Sequence, residues 1–528
     1  MPQLTGTLTG TPQSDLFASE IQIVDITSNT SESGIFKATI NDLNGLDGTG
    51  DSYQGVVSLT ASAAANLTSR GIDASTIKDD GLDDDSVTAT ATSIGFQNQG
   101  RATSYGVFGG SINTGGEVDS FLISGTSRSA LRMKGVGVGF ATIDGGDRRD
   151  DIQITGSAIG GGAAGSSAVA FGTEGAVIKG GGEAVSKDTI TIAAEAQNGS
   201  NDGEARANAI GVKGGWVLGE SDDDTIAVTA EASGTRGIAR GASKANVWGG
   251  AGGDRVNLSA TATGSASSGA RSVAAGIDNQ TVVFGGDGAD VMGISGNASS
   301  SGRSDAAARA YGVRSSSFFG GDGNDAMFIS ATAEAESNAR AYGVFKSTDV
   351  SAGEGDDFVV VTATTTAQGS TAAYGLYESK LFTGNGNDRI IVQGVTNTAS
   401  GRGGYGAFKS EINAGAGNDS IKVEATARAA FDIQDAVIFG GDGDDTLDVG
   451  IGSGQLNGQG GTDVAILDYF NADTMTVTAF DGGVVRISGT QTKSGANKAW
   501  QQDIFNVESF QVGDALYSAE TLASTFGV

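Results

Sequence analysis

The chain has 528 residues, 87 of them Gly and only 2 Pro, with neither Cys nor His, and its formal net charge is −30. The missing side chains exclude a Ser-His triad, a Cys nucleophile, a thiolate or imidazole zinc site and a disulfide framework, which leaves hard oxygen ligands. The acidic balance argues against nucleic acid or an anionic membrane as partner and favours metal cations.

Residues 1–80 hold both prolines, Pro2 and Pro12, and lack the period that follows. The runs LTGTPQSDLF (8–17) and GLDGTGDS (45–52) look like degenerate turns, so an irregular β region that caps the next segment is expected. No basic residue precedes Lys37 and no apolar h-region follows the start, so no cleavable N-terminal secretory signal is expected. Nor is any apolar run long enough for a membrane helix, so no membrane insertion is expected.

Residues 81–463 repeat. Gly/Asp-rich clusters end on the anchors Asp85, Asp119, Asp150, Asp188, Asp224, Asp254, Asp290, Asp325, Asp357, Asp388 and Asp419, with gaps of 30 to 38 residues, and Asp445 and Asp463 follow at shorter steps. The residues after each anchor alternate with the two-residue period of a strand buried on one face. Two positions on stand Phe121, Ile152, Ile190 and Met327; four on, Ile123, Ile154, Ile192 and Ile329; six on, always Ala or Gly. One cross-section repeated in this way predicts parallel strands stacked in register, an all-β parallel β-solenoid of about 33 residues per coil. Each coil has a long strand after the anchor, a second segment such as ARAYGV (339–344) and a third such as SSSFFGG (315–321), with a Ser/Asn/Ala-rich loop of variable length after the first. A β-sandwich with Gly-rich turns is the competing architecture, but sandwiches do not repeat one inward pattern eleven times.

Stacking would place the acidic clusters in a column about 4.8 Å apart, where neighbouring like charges repel by roughly 1 kcal/mol in water. Over a dozen turns this would rival the roughly 5–15 kcal/mol that holds a domain together, and a divalent cation between turns reverses the sign. Gly320, Gly321 and Gly323 allow positive φ and turn carbonyl oxygens inward, while Asp325 supplies a carboxylate; such a set suits calcium better than magnesium. The candidate ligands are Asp150, Asp254, Asp287, Asp290, Asp322, Asp325, Asp357, Asp388, Asp419, Asp442, Asp445 and Asp463.

The runs FGGDGADVM (284–292), FGGDGNDAM (319–327) and FGGDGDDTL (439–447) resemble the GGxGxDxUx nonapeptides of the repeats-in-toxin, or haemolysin-type, calcium-binding family. That resemblance implies a right-handed parallel β-roll with calcium between turns, a type I exporter, and folding outside the cell when calcium is met. It is strong at Asp290, Asp325, Asp357, Asp388, Asp419 and Asp445 and weak at Asp85, Asp119, Asp188 and Asp224, where a solvated acidic corner is an equal reading. Tandem nonapeptides would give a much shorter turn, so a wider coil with calcium on one edge is expected.

The second segment carries Arg309 and Tyr311, Arg340 and Tyr342, with relatives at Tyr105, Tyr374 and Tyr405. Either its small residues face inward and leave an exposed Arg/Tyr stripe, suited to lateral contact or sugar stacking, or the strand bends and Tyr fills a corner. Residues 464–528 should form a C-terminal β cap. Their tail, DIFNVESFQVGDALYSAET (503–521) and STFGV, looks like the uncleaved signal of type I cargo, so an extracellular or cell-surface location is expected.

The leading expectation is a secreted, non-enzymatic structural protein of a bacterial surface: a calcium-stabilised solenoid that associates with itself, head to tail or laterally, into fibrils or a surface layer. Some cyanobacterial surface fibril proteins are similar in carrying such repeats. The alternatives are a calcium-dependent adhesin that binds cell-surface polysaccharide, for which outward Thr90, Thr155, Thr229, Ser330 and Thr362 offer an interrupted ladder, and a β-helix polysaccharide lyase or epimerase. General acid/base work needs one singular site, whereas every Asp cluster resembles its neighbours.

Overall fold

The structure is a computed structural model. It describes residues 4–9, 32–42, 52–60, 67–79, 84–94, 101–116, 118–160, 165–182, 187–199, 204–266, 269–302, 305–347, 349–397, 403–426, 430–471, 474–479, 484–493 and 496–526. The chain forms two compact units, Met1–Gly286 with Ser300–Ala306, and Asp287–Ser299 with Ala307–Val528. Both are parallel β-solenoids, as the repeat predicts.

In the first unit the strand Asp151–Gly160 lies between Ser120–Ser129 and Thr189–Asn198. Ile152 pairs with Phe121 on one side and Ile190 on the other, and Ile154 with Ile123 and Ile192, without a slip. These side chains are buried, so large apolar residues at equivalent positions stack on one another along the core. The same register runs through the second unit, where Met327 pairs with Val359, Val359 with Ile390 and Ile390 with Ile421.

The small residue six places after the anchor has a packing cause. A Cβ on Gly156 would sit 1.8 Å from the carbonyl oxygen of Phe171 on the facing second strand, and one on Gly394 would sit 2.1 Å from that of Tyr405. The second strand returns the contact through its own glycine. A Cβ on Gly137 would lie 2.4 Å from Ile154 Cγ2, and one on Gly343 2.4 Å from Val361 Cγ1. Large side chains of one sheet thus fill the space that glycine leaves in the other.

The second and third strands share a sheet but meet at a sharp bend. The residue at the bend takes a left-handed conformation, as at Phe140 (φ 53°), Lys244 (54°), Ser315 (46°), Lys346 (52°) and Lys409 (47°). In the second unit the angle is filled by Tyr311, Tyr342, Tyr374 and Tyr405, whose rings stack at 5.2 Å within 8° of parallel. Phe345, Tyr377 and Phe408 form a second stacked column whose edges meet the tyrosines. Of the two readings of the Arg-x-Tyr pattern, the structure therefore shows the bent strand with Tyr inside the angle; Tyr311 and Tyr342 are buried while Arg309 and Arg340 face outward.

Parallel stacking also reaches into the stretch where no period is visible. Glu32–Asp42 pairs with Leu67–Asp79, Leu67–Asp79 with Arg101–Asn113, and Ser52–Thr60 with Ser86–Ile94. The degenerate turns at 8–17 and 45–52 lie almost wholly outside the described residues. At the other end Met475–Ala479, Val485–Lys493 and Ala496–Phe505 turn antiparallel. The helix Ala519–Phe526 follows, with Leu522 buried and Phe526 edge-on to Phe470 and Tyr517.

Candidate metal centre

Among the described residues the third strand of a coil leads into the Gly/Asp corner. In the second unit paired glycines hold positive φ, 133° and 130° at Gly321 and Gly323, 123° and 126° at Gly353 and Gly355. A Cβ on Gly353 would lie 1.9 Å from Gly321 O, so successive corners approach too closely for any side chain. The second glycine of each pair donates its N–H to the next coil: Gly323 to Glu354 O, Gly355 to Asn385 O and Gly386 to Ala416 O, each at 2.7 Å. The glycines therefore close the corner by hydrogen bonds between coils, a role the sequence reading did not give them.

Beside this seam the anchor aspartates form a ladder. The N–H of Asp119 donates to Asp150 Oδ1 (2.8 Å), that of Asp150 to Asp188 (2.7 Å), Asp188 to Asp224 (2.8 Å) and Asp224 to Asp254 (2.7 Å). In the second unit the rungs run Asp290 to Asp325, Asp325 to Asp357, Asp357 to Asp388, Asp388 to Asp419, Asp419 to Asp445 and Asp445 to Asp463, all 2.7–2.8 Å. The last rung, Asp463 N–H, reaches Glu508 Oε2 at 2.7 Å. One carboxylate oxygen per coil is thus committed to the backbone of the coil before it.

The other oxygen is turned inward. Oδ2 of Asp150, Asp188, Asp224, Asp325, Asp357, Asp419, Asp445 and Asp463 is buried without a hydrogen-bond partner. It faces the first glycine of the corner, where a Cβ on Gly145, Gly320 or Gly440 would come within 2.3 Å of it. Burial, opposed by the backbone hydrogen bond and reinforced by neighbouring carboxylates, pushes Asp150 up to about 9 and Asp224 up to about 8. The same balance lifts Asp325, Asp357 and Asp419 to about 7 and Asp188, Asp254 and Asp445 to about 6.

The residue just before the anchor builds a second ladder in the opposite sense. Asn324 Oδ1 accepts from Asp356 N–H (2.9 Å), Asp356 from Asn387 (2.7 Å), Asn387 from Asn418 (2.9 Å), Asn418 from Asp444 (2.8 Å) and Asp444 from Thr462 (2.8 Å). Sequence reasoning missed this column, although the signal was present: a short Asn or Asp, able to hydrogen-bond nearby backbone, precedes each of these anchors.

Of the twelve predicted ligands, Asp150, Asp254, Asp290, Asp325, Asp357, Asp388, Asp419, Asp445 and Asp463 are rungs of the inner ladder. Asp287, Asp322 and Asp442 stand exposed on the rim. The structure thus separates into two sets what the sequence reading pooled into one. Asp322 pairs in register with Glu354, and Glu354 accepts two hydrogen bonds from Asn385, both 2.9 Å. Among the described residues no three Asp or Glu side chains converge as one metal cluster. The donor set still fits a hard cation in kind: the inner side chains are carboxylates, and in eight of them one oxygen is buried without a partner. No family model matches the chain, and no curated protein does either.

Proposed function

We propose that this chain is a structural protein of a bacterial cell surface, exported and built to associate with copies of itself, whose acidic corners take up calcium. The observation that carries the reading is the inner ladder, in which the same carboxylate oxygen is buried and unpartnered at Asp150, Asp188, Asp224, Asp325, Asp357, Asp419, Asp445 and Asp463. Such an oxygen costs about 1–3 kcal/mol if nothing meets it, and the three in the first unit and five in the second together cost an amount comparable with the roughly 5–15 kcal/mol that holds a domain together. Either a proton or a cation supplies the partner, and outside a cell calcium is the hard cation at hand. In this reading cations are taken up along the corner, where they neutralise the inner column and, separately, the rim carboxylates Asp287, Asp322 and Asp442, and so lock the register of the strands that follow.

Self-association is supported by the fold itself. Successive coils present like outward faces and the same corner, so a lateral contact made once can repeat along the solenoid, and the free edge of an end coil can pair with a second copy in a heterologous contact that propagates. Electron microscopy of the full chain, dialysed into calcium and then into chelator, tests the reading. Filaments or sheets that form with calcium and disperse with chelator are expected; monodisperse particles in both would contradict it.

A further inference from the structure

The second strands of the first unit begin with arginine. Arg101 pairs in register with Arg132, Arg132 and Arg206 both pair with Ser167, Arg206 pairs with Arg236 and Arg236 with Arg271. One outward position therefore carries Arg in five of six consecutive coils, about 4.8 Å apart along the solenoid. At that spacing adjacent guanidinium groups repel, more strongly where the dielectric is lower. Among the described residues the side chains of Arg132, Arg206 and Arg271 have no ion-pair partner, and Nε of Arg236 is covered without a hydrogen-bond acceptor. At the start of the second strand in the other unit stand Ala307, Asn338 and Ser370, which carry no charge.

The column forms one wall of a groove of about 680 Å³, the size of a ligand site. Six Lys and Arg line it against two carboxylates, Glu174 and Glu204, in a chain of net charge −30. Phe171 packs beneath it with Lys134 and Lys213 over its ring, at 5.3 and 4.3 Å, and Glu174 ties both lysines at 2.5 and 2.7 Å. Thr103 and Ser167 add hydroxyl groups between the cations.

We propose that this groove binds an acidic polysaccharide lengthwise, with carboxylates of successive sugars in the forks of the arginine column and sugar hydroxyls on Thr103 and Ser167. A guanidinium fork matches a carboxylate in bidentate geometry, and a regular linear polyanion relieves the repulsion along the whole column at once. Nucleic acid suits the groove less well. Phe171 is 5% exposed and has lysines over its ring, so bases find no stacking surface there. The inference is independent of calcium at the acidic corners and of self-association.

Titration calorimetry of the full chain at fixed calcium tests it with four probes: a short oligogalacturonate, a heparin oligosaccharide, a maltooligosaccharide of equal length and a single-stranded oligonucleotide. The oligogalacturonate should bind, more weakly as salt rises, and the maltooligosaccharide should not. The variant Ser167→Asp puts a carboxylate between Arg132 and Arg206. It should weaken oligogalacturonate binding about tenfold or more while raising the unfolding midpoint, a pairing of effects that a folding defect cannot give. Replacing Arg132, Arg206 and Arg236 together by Ser should also abolish binding.

Oligogalacturonate binding no stronger than maltooligosaccharide binding, or binding unchanged in both variants, overturns the proposal. Tighter binding of the oligonucleotide overturns it in favour of nucleic acid. Heparin binding without oligogalacturonate binding overturns the carboxylate assignment in favour of sulfate. Self-association that Ser167→Asp removes, with no glycan binding, assigns the groove to a second copy. Filament formation with calcium by the unsubstituted chain would stand in each of these cases.

Discussion

In the second unit the bend between the second and third strands is filled by stacked tyrosines, Tyr311 to Tyr405. In the first, the same slot in register holds Tyr105, Val136, Phe171 and Ile210, with Lys134, Lys213 and Glu174 laid over them. Both coils need the angle filled, because the strand on the far side of the bend must still reach the core. The filling itself is free to vary, and that freedom separates a stack of like rings from a charged groove. The corner differs too. The second unit links five successive steps through its outer Asn/Asp ladder, whereas the described residues of the first show two such links, Val118 N–H to Asp84 and Gly253 N–H to Asp223.

What the units share should respond alike. Gly137→Ala and Gly343→Ala each drive a Cβ to 2.4 Å from the aliphatic of the facing strand and should each cost about 3 kcal/mol or more by chemical denaturation. A cost confined to one unit would break the claim that the coils are equivalent. The filling should respond unequally. Tyr374→Ala removes a ring stacked on both neighbours and should cost about 3–5 kcal/mol, against about 2–3 for Ile210→Ala, as read by hydrogen exchange in each unit.

Smaller effects sharpen the contrast. Asp357→Ala strips the acceptor from Asp325 N–H and should cost about 2 kcal/mol in chelator, while Asp357→Asn keeps an acceptor and sheds the charge, so it should cost little or stabilise. Glu174→Gln should cost about 1 kcal/mol, and less as salt rises. Burial opposes ionisation of Glu174, but the hydrogen bonds from Lys134 and Lys213 hold its pKa below the ordinary 4.5. The stability it contributes is present above pH 4.5 and lost as pH falls through the lowered value, so wild type and Glu174→Gln should converge in acid.

Asp432, in the second unit, has the opposite sign. Burial outweighs the backbone hydrogen bond from Ala425 and lifts it to about 7. Its share of stability is present below 3.8 and is lost as pH rises through about 7, so Asp432→Asn should gain on wild type over that range.

The strand after each anchor was legible because a half-buried strand writes its register as alternation: Ile152, Ile154 and Gly156 are buried in the order the sequence states them. The bend was legible only as one of two readings of the Arg-x-Tyr pattern, since Phe140, Lys346 and Lys409 are ordinary residues whose left-handed conformation is imposed by packing. The anchors were found, but as metal ligands; that each Asp also accepts the N–H of the preceding anchor depends on a neighbour about 33 residues away. The arginine column stayed hidden because the variable loop separates it from the anchors by 12 to 18 residues. Counted back from the glycine of the second strand, Arg101, Arg132, Arg206, Arg236 and Arg271 each stand five places before Gly106, Gly137, Gly211, Gly241 and Gly276, and the column is plain.

Whether the inner carboxylate ladder calls for a cation is tested most directly by thermal unfolding of the full chain across a calcium titration, starting from chelator. Binding linked to folding predicts a midpoint that climbs with calcium, and a smaller climb when Asp357, Asp388 and Asp419 are all changed to Asn. Midpoints that coincide in calcium and chelator would contradict the account.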